Sequence, residues 1–406
     1  MSSIVSIVHR DNIPETPSEF TNDSMDIITD MVRESVNLSC DFEKLVRGKT
    51  VMLKPNLVRP ELKQFPCNTT DKRVVLAVAR ICKESGAKEV TIGENPGYGI
   101  TSRFAFRLSN LLHHMKEMDI NPVFLDEEEK VTVPNPEGIL FRNVKIPKPY
   151  LNADVIINIP KMKTHLQAKV SLGIKNLHGI ALDEQRLLYH REDINSKLID
   201  ILRIRLPELT VIDALWALEG QSPLFGKPIQ DFNLIISGTD PVAVDAVGCS
   251  TMGFDPEEIA MIRIAKQQKL GCGDLNQIEV KGKKIEEVWR PFKRPILGNA
   301  GAFENVTCIE GGACSGCLSN LRHSLDRLKY EGKLDKCPVF SIYNGKPMPN
   351  NENIEKWEGD LFLFGNCSAE LVFSQVERRS IATFIPGCPP HIFDLYNQIL
   401  TKYNIE

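Results

Sequence analysis

Apolar, β-branched runs alternate with segments of helical periodicity along most of the chain. Strands are predicted at SIVSIVHR, KTVMLKPNLV, AKEVTIGENPGYG, ADVIINIPKMKTH and PELTVIDALWALEG, several of them running into polar loops. Helices are predicted at SMDIITDMVRESV and at DKRVVLAVARICKESG, which has Asp71 in its first turn and Gly86 as its stop. This alternation is typical of an α/β fold with a mostly parallel sheet flanked by helices. Ligands of such sheets bind outside the carboxyl ends of the strands, so the polar residues after each strand are the candidates for chemistry.

A domain boundary is predicted near residues 288–307, where VWRPFKRPILGNAGAFENVT has prolines, glycines and little periodicity. Residues 1–295 are predicted to form the larger α/β domain, and residues 296–406 a smaller, Cys-rich α/β domain. The smaller domain has helical patterns at LSNLRHSLDRLKYEG and HIFDLYNQILTKY and strand patterns at DLFLFGNCS and IATFIPGCPP.

Composition and charge exclude several classes of protein. The chain has 406 residues, 42% of them hydrophobic, and a net charge of −4, so it lacks the basic excess of a nucleic-acid-binding protein. No segment reaches the run of about 18 apolar residues that spans a membrane. The start, MSSIVSIVHRDNIPET, does not resemble a secretory signal, which predicts a cytoplasmic protein without a membrane partner.

Cysteines crowd the end of the chain. Six of the eleven lie in the last hundred residues or so: Cys308, Cys314, Cys317, Cys337, Cys367 and Cys388. Cytosolic thiols stay reduced, so clustered cysteines there more often bind metal or react than form disulfides. Cys314 and Cys317 stand at the start of a predicted helix, and Cys367 and Cys388 at the carboxyl ends of predicted strands. We expect these four to converge as thiolate ligands of an iron–sulfur cluster or of zinc.

The spacing favours a 4Fe-4S cluster over zinc. Structural zinc usually takes its ligands from two compact knuckles, whereas this chain has a single C-x2-C and two isolated thiols. The segment PGCPP around Cys388 resembles a loop in cluster-binding subunits of respiratory complex I and nickel–iron hydrogenases. Zinc, or reduced cysteines without metal, remain the alternatives. Cys308 is an alternative ligand, and Cys337 is interpreted as a core or strand-edge cysteine.

The segment IPKMKTHLQAKVSLGIKNLHG is the most basic stretch of the first domain. Lys161, Lys163 and His165 alternate, so an extended backbone places them on one side, where they could bind phosphate or carboxylate. The alternative is a solvated basic edge. Candidate catalytic residues, able to move protons near neutral pH, are Lys163, His165, Lys175 and His178. Candidate substrate-binding residues of the segment are Lys161 and Asn176.

Other polar loops add candidate substrate-binding residues. VMLKPNLV places Lys54 and Asn56 just past a strand, and GENPGYG places Glu94 and Asn95 between glycines, although simple turns would explain both. Asp245 falls inside an apolar helix and needs a buried partner, for which one of the lysines is a candidate. Asp213 and Glu219 are further candidate partners. Asp240 is expected to cap the helix that Pro241 begins.

Four of these stretches together resemble a known family. VMLKPNLV, INIPKMKTHLQAKVSLGIKNLHG, VIDALWALEGQSP and ISGTDPVAVDAVGCSTMGFDPEEI are similar, in order and spacing, to the domain of unknown function 362 family over residues 50–260. The resemblance implies an α/β domain often accompanied by iron–sulfur modules, many of them ferredoxin-like, and it implies no particular reaction. This chain lacks the C-x2-C-x2-C-x3-C-P run of a ferredoxin module, so its cysteines form a different arrangement.

Together these features predict a 4Fe-4S protein that acts as an oxidoreductase or cluster-assisted enzyme on a small anionic substrate. The electron donor would be a protein such as ferredoxin or flavodoxin. Two alternatives stay open. One is a binding, assembly or redox-sensing protein with a structural cluster or zinc, and the other is a racemase or lyase that uses lysine and histidine acid–base chemistry without a cluster.

Overall fold

The structure is a computed structural model that describes residues 3–13, 21–58, 67–96, 100–181, 193–296, 303–346, 358–374 and 382–406. The chain divides into two compact units. The first comprises Met1–Leu188 and Ile194–Pro295, and the second Tyr189–Asp193 and Ile296–Glu406. Both are α/β units with largely parallel sheets.

In the first unit, the apolar runs predicted as strands form strands, and polar loops follow several of them. They are β1 (Ser3–His9), β2 (Thr50–Pro55), β3 (Glu89–Glu94), β4 (Asn121–Phe124), β5 (Lys130–Pro134), β6 (Asn143–Pro147), β7 (Val155–Ile159), β8 (Lys161–His165), β9 (Lys169–Ser171), β10 (Leu209–Gln221), β11 (Phe225–Ile229), β12 (Leu234–Gly238) and β13 (Ile278–Gly282).

The main sheet has the strand order β13-β1-β12-β10-β7-β2-β3-β4. Its central run from β10 through β7, β2 and β3 to β4 is parallel, whereas β12 pairs antiparallel with both β1 and β10. Strands β8 and β11 also pair with β10, β9 pairs with β8, and β5 and β6 form a separate antiparallel pair.

Two of the expected strand-then-loop segments are longer strands in the structure. The polar stretch after β7 is itself strand β8, and β10 runs for 13 residues to Gln221. The second half of β10 stays extended because β8 and β11 supply hydrogen-bonding partners on its two sides.

Helices cover the sheet of the first unit, and several of them begin at a side-chain cap. They are α1 (Asn22–Ser39), α2 (Phe42–Val46), α3 (Lys72–Glu84), α4 (Ser102–Leu108), α5 (Leu111–Glu117), α6 (Lys148–Asn152), α7 (Gly173–Asn176), α8 (Ile194–Ile204), α9 (Pro241–Thr251), α10 (Ala260–Gln267) and α11 (Ile285–Val288). Asp71 caps α3, and Asp240 caps α9 with Pro241 at its first position. A 3-10 helix (Leu177–Ile180) follows α7 directly.

The core of the first unit lies between α1, α3 and the parallel strands. Val32, Val75, Leu53 and Ile157 are among its fully buried apolar side chains. Burial of these faces fixes α3 against β2 and β3, and so fixes where the polar carboxyl ends of the strands lie.

The second unit is a four-stranded parallel sheet whose spatial order follows the chain. Its strands are β14 (Val306–Gly311), β15 (Phe340–Gly345), β16 (Asp360–Phe364) and β17 (Ala382–Ile385). Its helices are α12 (Ser315–Tyr330), α13 (Ala369–Ser374) and α14 (Ile392–Tyr403). Phe340, Phe362, Leu325 and Leu395 are buried in its core.

None of the helices in the described ranges has both the length and the apolar character needed to cross a membrane.

Candidate functional site

Three lysines are buried at the carboxyl edge of the parallel strands in the first unit. Lys54 is next to last in β2, and Lys161 and Lys163 lie on β8, which continues the direction of β7 after Pro160. Each of the three is 1% exposed. A lysine is almost never fully buried without a partner, so the partners define what each one does. We call these lysines, together with Glu94 and Asp213, the lysine site.

Lys54 is held as a cation. Its Nζ donates to Glu94 Oε2 at 2.5 Å, to the Pro55 carbonyl at 3.0 Å and to Asn176 Oδ1 at 3.3 Å. Glu94 ends β3, the neighbour of β2, so parallel pairing brings the two side chains to one edge. Three acceptors, one of them a carboxylate, match the three donors of an ammonium group.

Lys161 is also held as a cation. The parallel register sets Lys161 opposite Asp213 of β10, and its Nζ lies 3.0 Å from Asp213 Oδ2. The same oxygen accepts from the Asp71 N–H at 2.6 Å. Burial lowers the pKa of Lys161, but the charges of Asp213, Cys67 and Asp71 outweigh burial and raise it above its usual value.

Lys163 has different surroundings. Its Nζ donates to Asn56 Oδ1 at 3.3 Å and to the Asn68 carbonyl at 2.8 Å, both of them neutral acceptors. Burial, followed by the like charges of Lys175, Lys161 and Lys54, lowers its pKa to about 7 against the opposing charge of Glu94. Lys163 is therefore poised to gain or lose a proton near neutral pH.

Asparagines connect the strand ends behind the lysines. Asn176 donates to Asn158 Oδ1 at 2.8 Å, and Asn158 donates to the Gly173 carbonyl at 2.9 Å. Asn176 also donates to the Lys54 carbonyl at 3.2 Å. This network ties α7 to β2 and β7, so the orientation of Lys54 depends on the placement of α7.

Gly179 lies directly over the Lys54–Glu94 pair. A Cβ atom at this position would lie 2.4 Å from Glu94 Oε1 and 2.6 Å from Lys54 Nζ. Gly179 is only half-buried, so the ion pair lies one residue beneath the surface. Lys175 and His178, in the same α7 and 3-10 segment, are half-buried too.

The remaining predicted residues of this region have local partners. His165 Nδ1 accepts from the N–H groups of Gln167 and Ala168 at 3.2 and 3.3 Å, so it caps the turn between β8 and β9. Asn95 donates to the Ala181 carbonyl at 3.2 Å. Glu219 is a further candidate partner for a buried charged residue. Its Oε2 instead accepts from the backbone N–H of Lys293 at 2.7 Å.

Asp245 does not pair with a lysine, which corrects the expectation from its apolar helix. Its two oxygens accept from the N–H groups of Gly173 and Ile174 at 2.7 and 2.9 Å. Burial raises the pKa of Asp245 to about 7 against these two hydrogen bonds. Its contacts therefore give it a structural role, since it caps the start of α7 and holds the segment that carries Lys175 and Asn176.

The second unit brings Cys367 and Cys388 to one edge of its sheet. Both follow neighbouring parallel strands, β16 and β17, and both are exposed. The two loops are joined where the Asn366 N–H donates to the Gly387 carbonyl at 2.8 Å and Asn366 Oδ1 accepts from the Gly387 N–H at 2.7 Å. The pairing holds the two thiols on adjacent loops.

The start of α12 faces the same loops. Cys314 is the N-cap of α12, and Cys317 is its third residue. A Cβ atom placed on Gly365, in the loop after β16, would lie 3.1 Å from Cys317 Sγ, so the thiol packs against this loop. Asn320, one turn along, donates to the Pro390 carbonyl at 2.8 Å. Helix α12 is thus attached to the loops after both β16 and β17.

These contacts bring together the four cysteines that the sequence singled out, named here the cysteine site: Cys314, Cys317, Cys367 and Cys388. A hydrogen bond with Cys314, burial, and the charges of Cys314, Cys367 and Cys388 together raise the pKa of the Cys317 thiol. Mutual repulsion of this kind is what a bound cation relieves, because coordination removes thiol protons.

The spacing of the thiols bears on which metal would fit. Sulfurs around one zinc ion lie about 3.8 Å apart, given Zn–S bonds of about 2.3 Å. Within the described ranges, the group of three or more candidate ligand atoms that lie within 4.8 Å of one another is His113, His114 and Glu117, not a set of thiols. The thiols of the cysteine site are therefore not clearly arranged as a metal or cluster site. Cys308 lies inside β14 opposite Ile342, and Cys337 is buried before β15.

Comparison with known proteins identifies the first unit. A family model described as a domain of unknown function, DUF362, matches residues 51–250. The thylakoid-associated protein sll1697 of Synechocystis sp. is 30% identical over 230 residues, which are 55% of this chain and 68% of that protein. The chain belongs to the DUF362 family.

The DUF362 match includes the whole lysine site and excludes the whole cysteine site. Lys54, Glu94, Lys161, Lys163 and Asp213 all fall within residues 51–250. The cysteine site begins at Cys314. The two candidate sites therefore belong to different parts of the chain, one within the family domain and one beyond it.

Two solved structures show weak similarity to this DUF362 chain. The lactate racemase apoprotein from Thermoanaerobacterium thermosaccharolyticum is 16% identical, with a TM-score of 0.39 over 57% of this chain and 55% of that chain. A protein from Thermotoga maritima is 12% identical, with a TM-score of 0.39 over 93% of both chains. At these scores neither structure informs the chemistry of this one.

Sequence reasoning missed several residues around the lysine site of this DUF362 protein. Asn158 is a fully buried polar residue in the otherwise apolar run VIINI, and such a residue signals a buried hydrogen-bonding network. Asn68 acts through its backbone carbonyl, which leaves no signal in the sequence. Gly179 is noticeable only once Lys54 and Glu94 are known to lie beneath it.

Proposed function

We propose that this DUF362 protein is a 4Fe-4S protein whose cysteine site holds the cluster and whose lysine site binds a small anionic substrate. The convergence of four thiols from α12, β16 and β17 around Cys317 is the observation that carries the proposal. Redox chemistry is the proposed reaction class, with an electron donor such as ferredoxin or flavodoxin.

The surroundings of the cysteine site support cluster binding. Cys314, Cys317, Cys367 and Cys388 are the proposed ligands, with Cys308 as the alternative to one of them. Cys314 and Cys317 stand at the start of α12, where the backbone N–H groups of the first turn favour thiolates and can donate to sulfur. Cys367 and Cys388 are exposed, so the site is open to a redox partner. A bound 4Fe-4S cluster would supply one-electron transfer.

The charges of the lysine site support an anionic substrate. Lys54 and Lys161 are balanced by Glu94 and Asp213, and the half-buried Lys175 adds a further positive charge closer to the surface. A carboxylate or phosphate would meet that charge as it enters. Lys163, His165 and His178 are the proposed proton carriers, and Asn56, Asn95 and Asn176 the proposed polar contacts of the substrate.

The test is anaerobic purification followed by assay of iron and acid-labile sulfide, with EPR before and after dithionite. We expect about four irons and four sulfides per chain and a signal that appears on reduction. Cys317→Ser and Cys388→Ser should lose iron. Cys337→Ser is the matched control, because Cys337 is in the same unit and outside the proposed ligand set, and it should keep iron. Zinc, or no metal in protein prepared without oxygen, would overturn the cluster proposal.

One observation favours a second candidate function, a racemase or lyase that works without the cluster. Lys163 has a pKa of about 7, which suits a group that takes a proton from carbon and returns it. Protein with the cysteine site removed would then still exchange substrate protons with deuterated water. Loss of exchange together with loss of iron would instead tie the chemistry to the cluster.

A further inference from the structure

The hydrogen bonds of Lys163 fit a neutral amine. An ammonium group has three N–H donors, whereas an amine has two donors and a lone pair. Among the described residues, Lys163 Nζ meets two acceptors, Asn56 Oδ1 and the Asn68 carbonyl. With both donors engaged, the amine keeps its lone pair unshared.

The neighbouring lysines are fixed in the opposite state. Lys54 meets three acceptors including Glu94, and Lys161 is paired with Asp213. Two permanent cations beside Lys163 disfavour a third charge in the same buried volume. A buried amine beside other cations is a recognised way of making a lysine nucleophilic. The lowered pKa of Lys163 agrees with this geometry.

We propose that Lys163 is a nucleophile that forms an imine with an anionic carbonyl compound, such as a 2-oxo acid. The inference rests on the proposed binding of an anion at the lysine site, and it names the class of that anion. The Nζ lone pair attacks the carbonyl carbon, and the carbonyl oxygen takes up the two protons of the amine and leaves as water. The product is a C=N bond, and no oxidant or reductant is needed.

The arrangement also explains why the carbonyl compound should be an anion. The charge of Lys175 acts on Lys163, and Lys175 is half-buried while Lys163 is buried. An anion drawn to the positive charge of Lys175 would lie where that charge also acts on Lys163. A neutral aldehyde lacks this anchor and should react more slowly.

The experiment is reductive trapping of the full-length protein with glyoxylate and sodium cyanoborohydride at neutral pH, followed by peptide mass spectrometry. We expect carboxymethylation to map to Lys163 in the wild-type protein, with acetaldehyde at equal concentration labelling it at least tenfold more slowly. Lys163→Met should abolish that adduct. Lys227→Met, at an exposed lysine of β11, should leave it unchanged.

Binding of glycolate, which has the carboxylate but no carbonyl, separates this inference from the proposed function. If glycolate binds while glyoxylate and cyanoborohydride leave Lys163 unmodified, the imine is wrong and the anion site stands. If glycolate does not bind and labelling spreads over surface lysines, the anion site and the imine fall together. Mapping on the wild-type protein keeps the test independent of whether the variants fold.

Discussion

Replacing Lys163 with methionine should stabilise the folded protein at pH 7, whereas the same change at Lys161 should destabilise it. Both lysines lie on β8 and each is 1% exposed. They differ in their partners, because Lys161 faces the Asp213 carboxylate and Lys163 faces two neutral oxygens. Methionine keeps much of the length of lysine and removes its charge, so the two variants isolate the electrostatic contribution.

The magnitude follows from the pKa of Lys163, which falls from an ordinary 10.5 to about 7, first by burial and then by the neighbouring lysines. The unfolded chain keeps the ordinary pKa, so folding with this lysine costs about 4 kcal/mol at pH 7. Methionine gives up two hydrogen bonds of about 1 kcal/mol each. The expected net gain is about 2 kcal/mol.

The same pKa difference gives the pH dependence a definite sign. Below pH 7 the amine is protonated in both states and the cost is complete. Between pH 7 and 10.5 the unfolded chain binds more protons than the folded chain, so the contribution of Lys163 to stability rises with pH. The methionine variant lacks this rise, so its advantage should vanish near about pH 9 and become a deficit of about 1–2 kcal/mol above about pH 10, where only the lost hydrogen bonds count.

Urea unfolding followed by tryptophan fluorescence, with Trp216 of β10 and Trp289 as the reporters in the first unit, measures both variants across this pH range. Lys161→Met should lose about 3–5 kcal/mol, because it leaves the Asp213 carboxylate buried without its cation. Equal losses in the two variants, with pH curves parallel to the wild type, would show that Lys163 is charged in the folded state and would refute the reasoning.

Three further predictions test contacts of the two sites. Gly179→Ala should lower the free energy of unfolding by about 1–3 kcal/mol, measured by thermal unfolding, and should weaken anion binding. The reason is that the new Cβ would lie 2.4 Å from Glu94 Oε1. Normal stability would mean that the Lys54–Glu94 ion pair moves aside freely. Asp245→Asn should cost about 1–3 kcal/mol in urea unfolding at pH 4, since one of two backbone amides loses its acceptor, and should cost less or even stabilise at pH 8, where the wild type buries an ionised carboxylate; a larger cost at pH 8 than at pH 4 would contradict this. Asn366→Ala should lower the iron content without unfolding the second unit, as judged by circular dichroism, because it removes one of the two hydrogen bonds that join the loop of Cys388 to that of Cys367. Full iron content would show that this hydrogen bond is not needed.

The parallel-strand rule predicts much of the candidate site from sequence. Polar residues after strands gather at one edge of a parallel sheet, and this rule locates Lys54, Glu94 and Lys161 from their positions along the chain alone. The same rule applied to the Cys-rich segment places Cys367 and Cys388 on adjacent strand ends. Both placements depend on local patterns, in which an apolar run ends and a polar residue follows.

The pairings within the site could not be predicted in the same way. Lys161 and Asp213 are 52 residues apart, and their contact depends on the register of β8 against β10, two strands whose pairing has no local signal. The apolar helix around Asp245 suggests a lysine partner, because a buried carboxylate needs a counter-group, but two backbone amides at the start of α7 satisfy it. Backbone donors are present at nearly every residue, so sequence patterns do not reveal which of them are used.

The contrast among the three buried lysines is itself an argument for function. Lys54 and Lys161 each have a carboxylate, which is how a buried cation is ordinarily stabilised. Lys163 occupies a site of the same depth with neutral oxygens, although an apolar side chain there would cost the fold less. An ionisable group that destabilises the fold, placed between two groups that do not, is best explained by chemistry that needs an amine near neutrality. The stability measurement and the trapping experiment test this explanation independently. The first measures how much the amine of Lys163 destabilises the fold, and the second measures whether that amine reacts with a carbonyl compound.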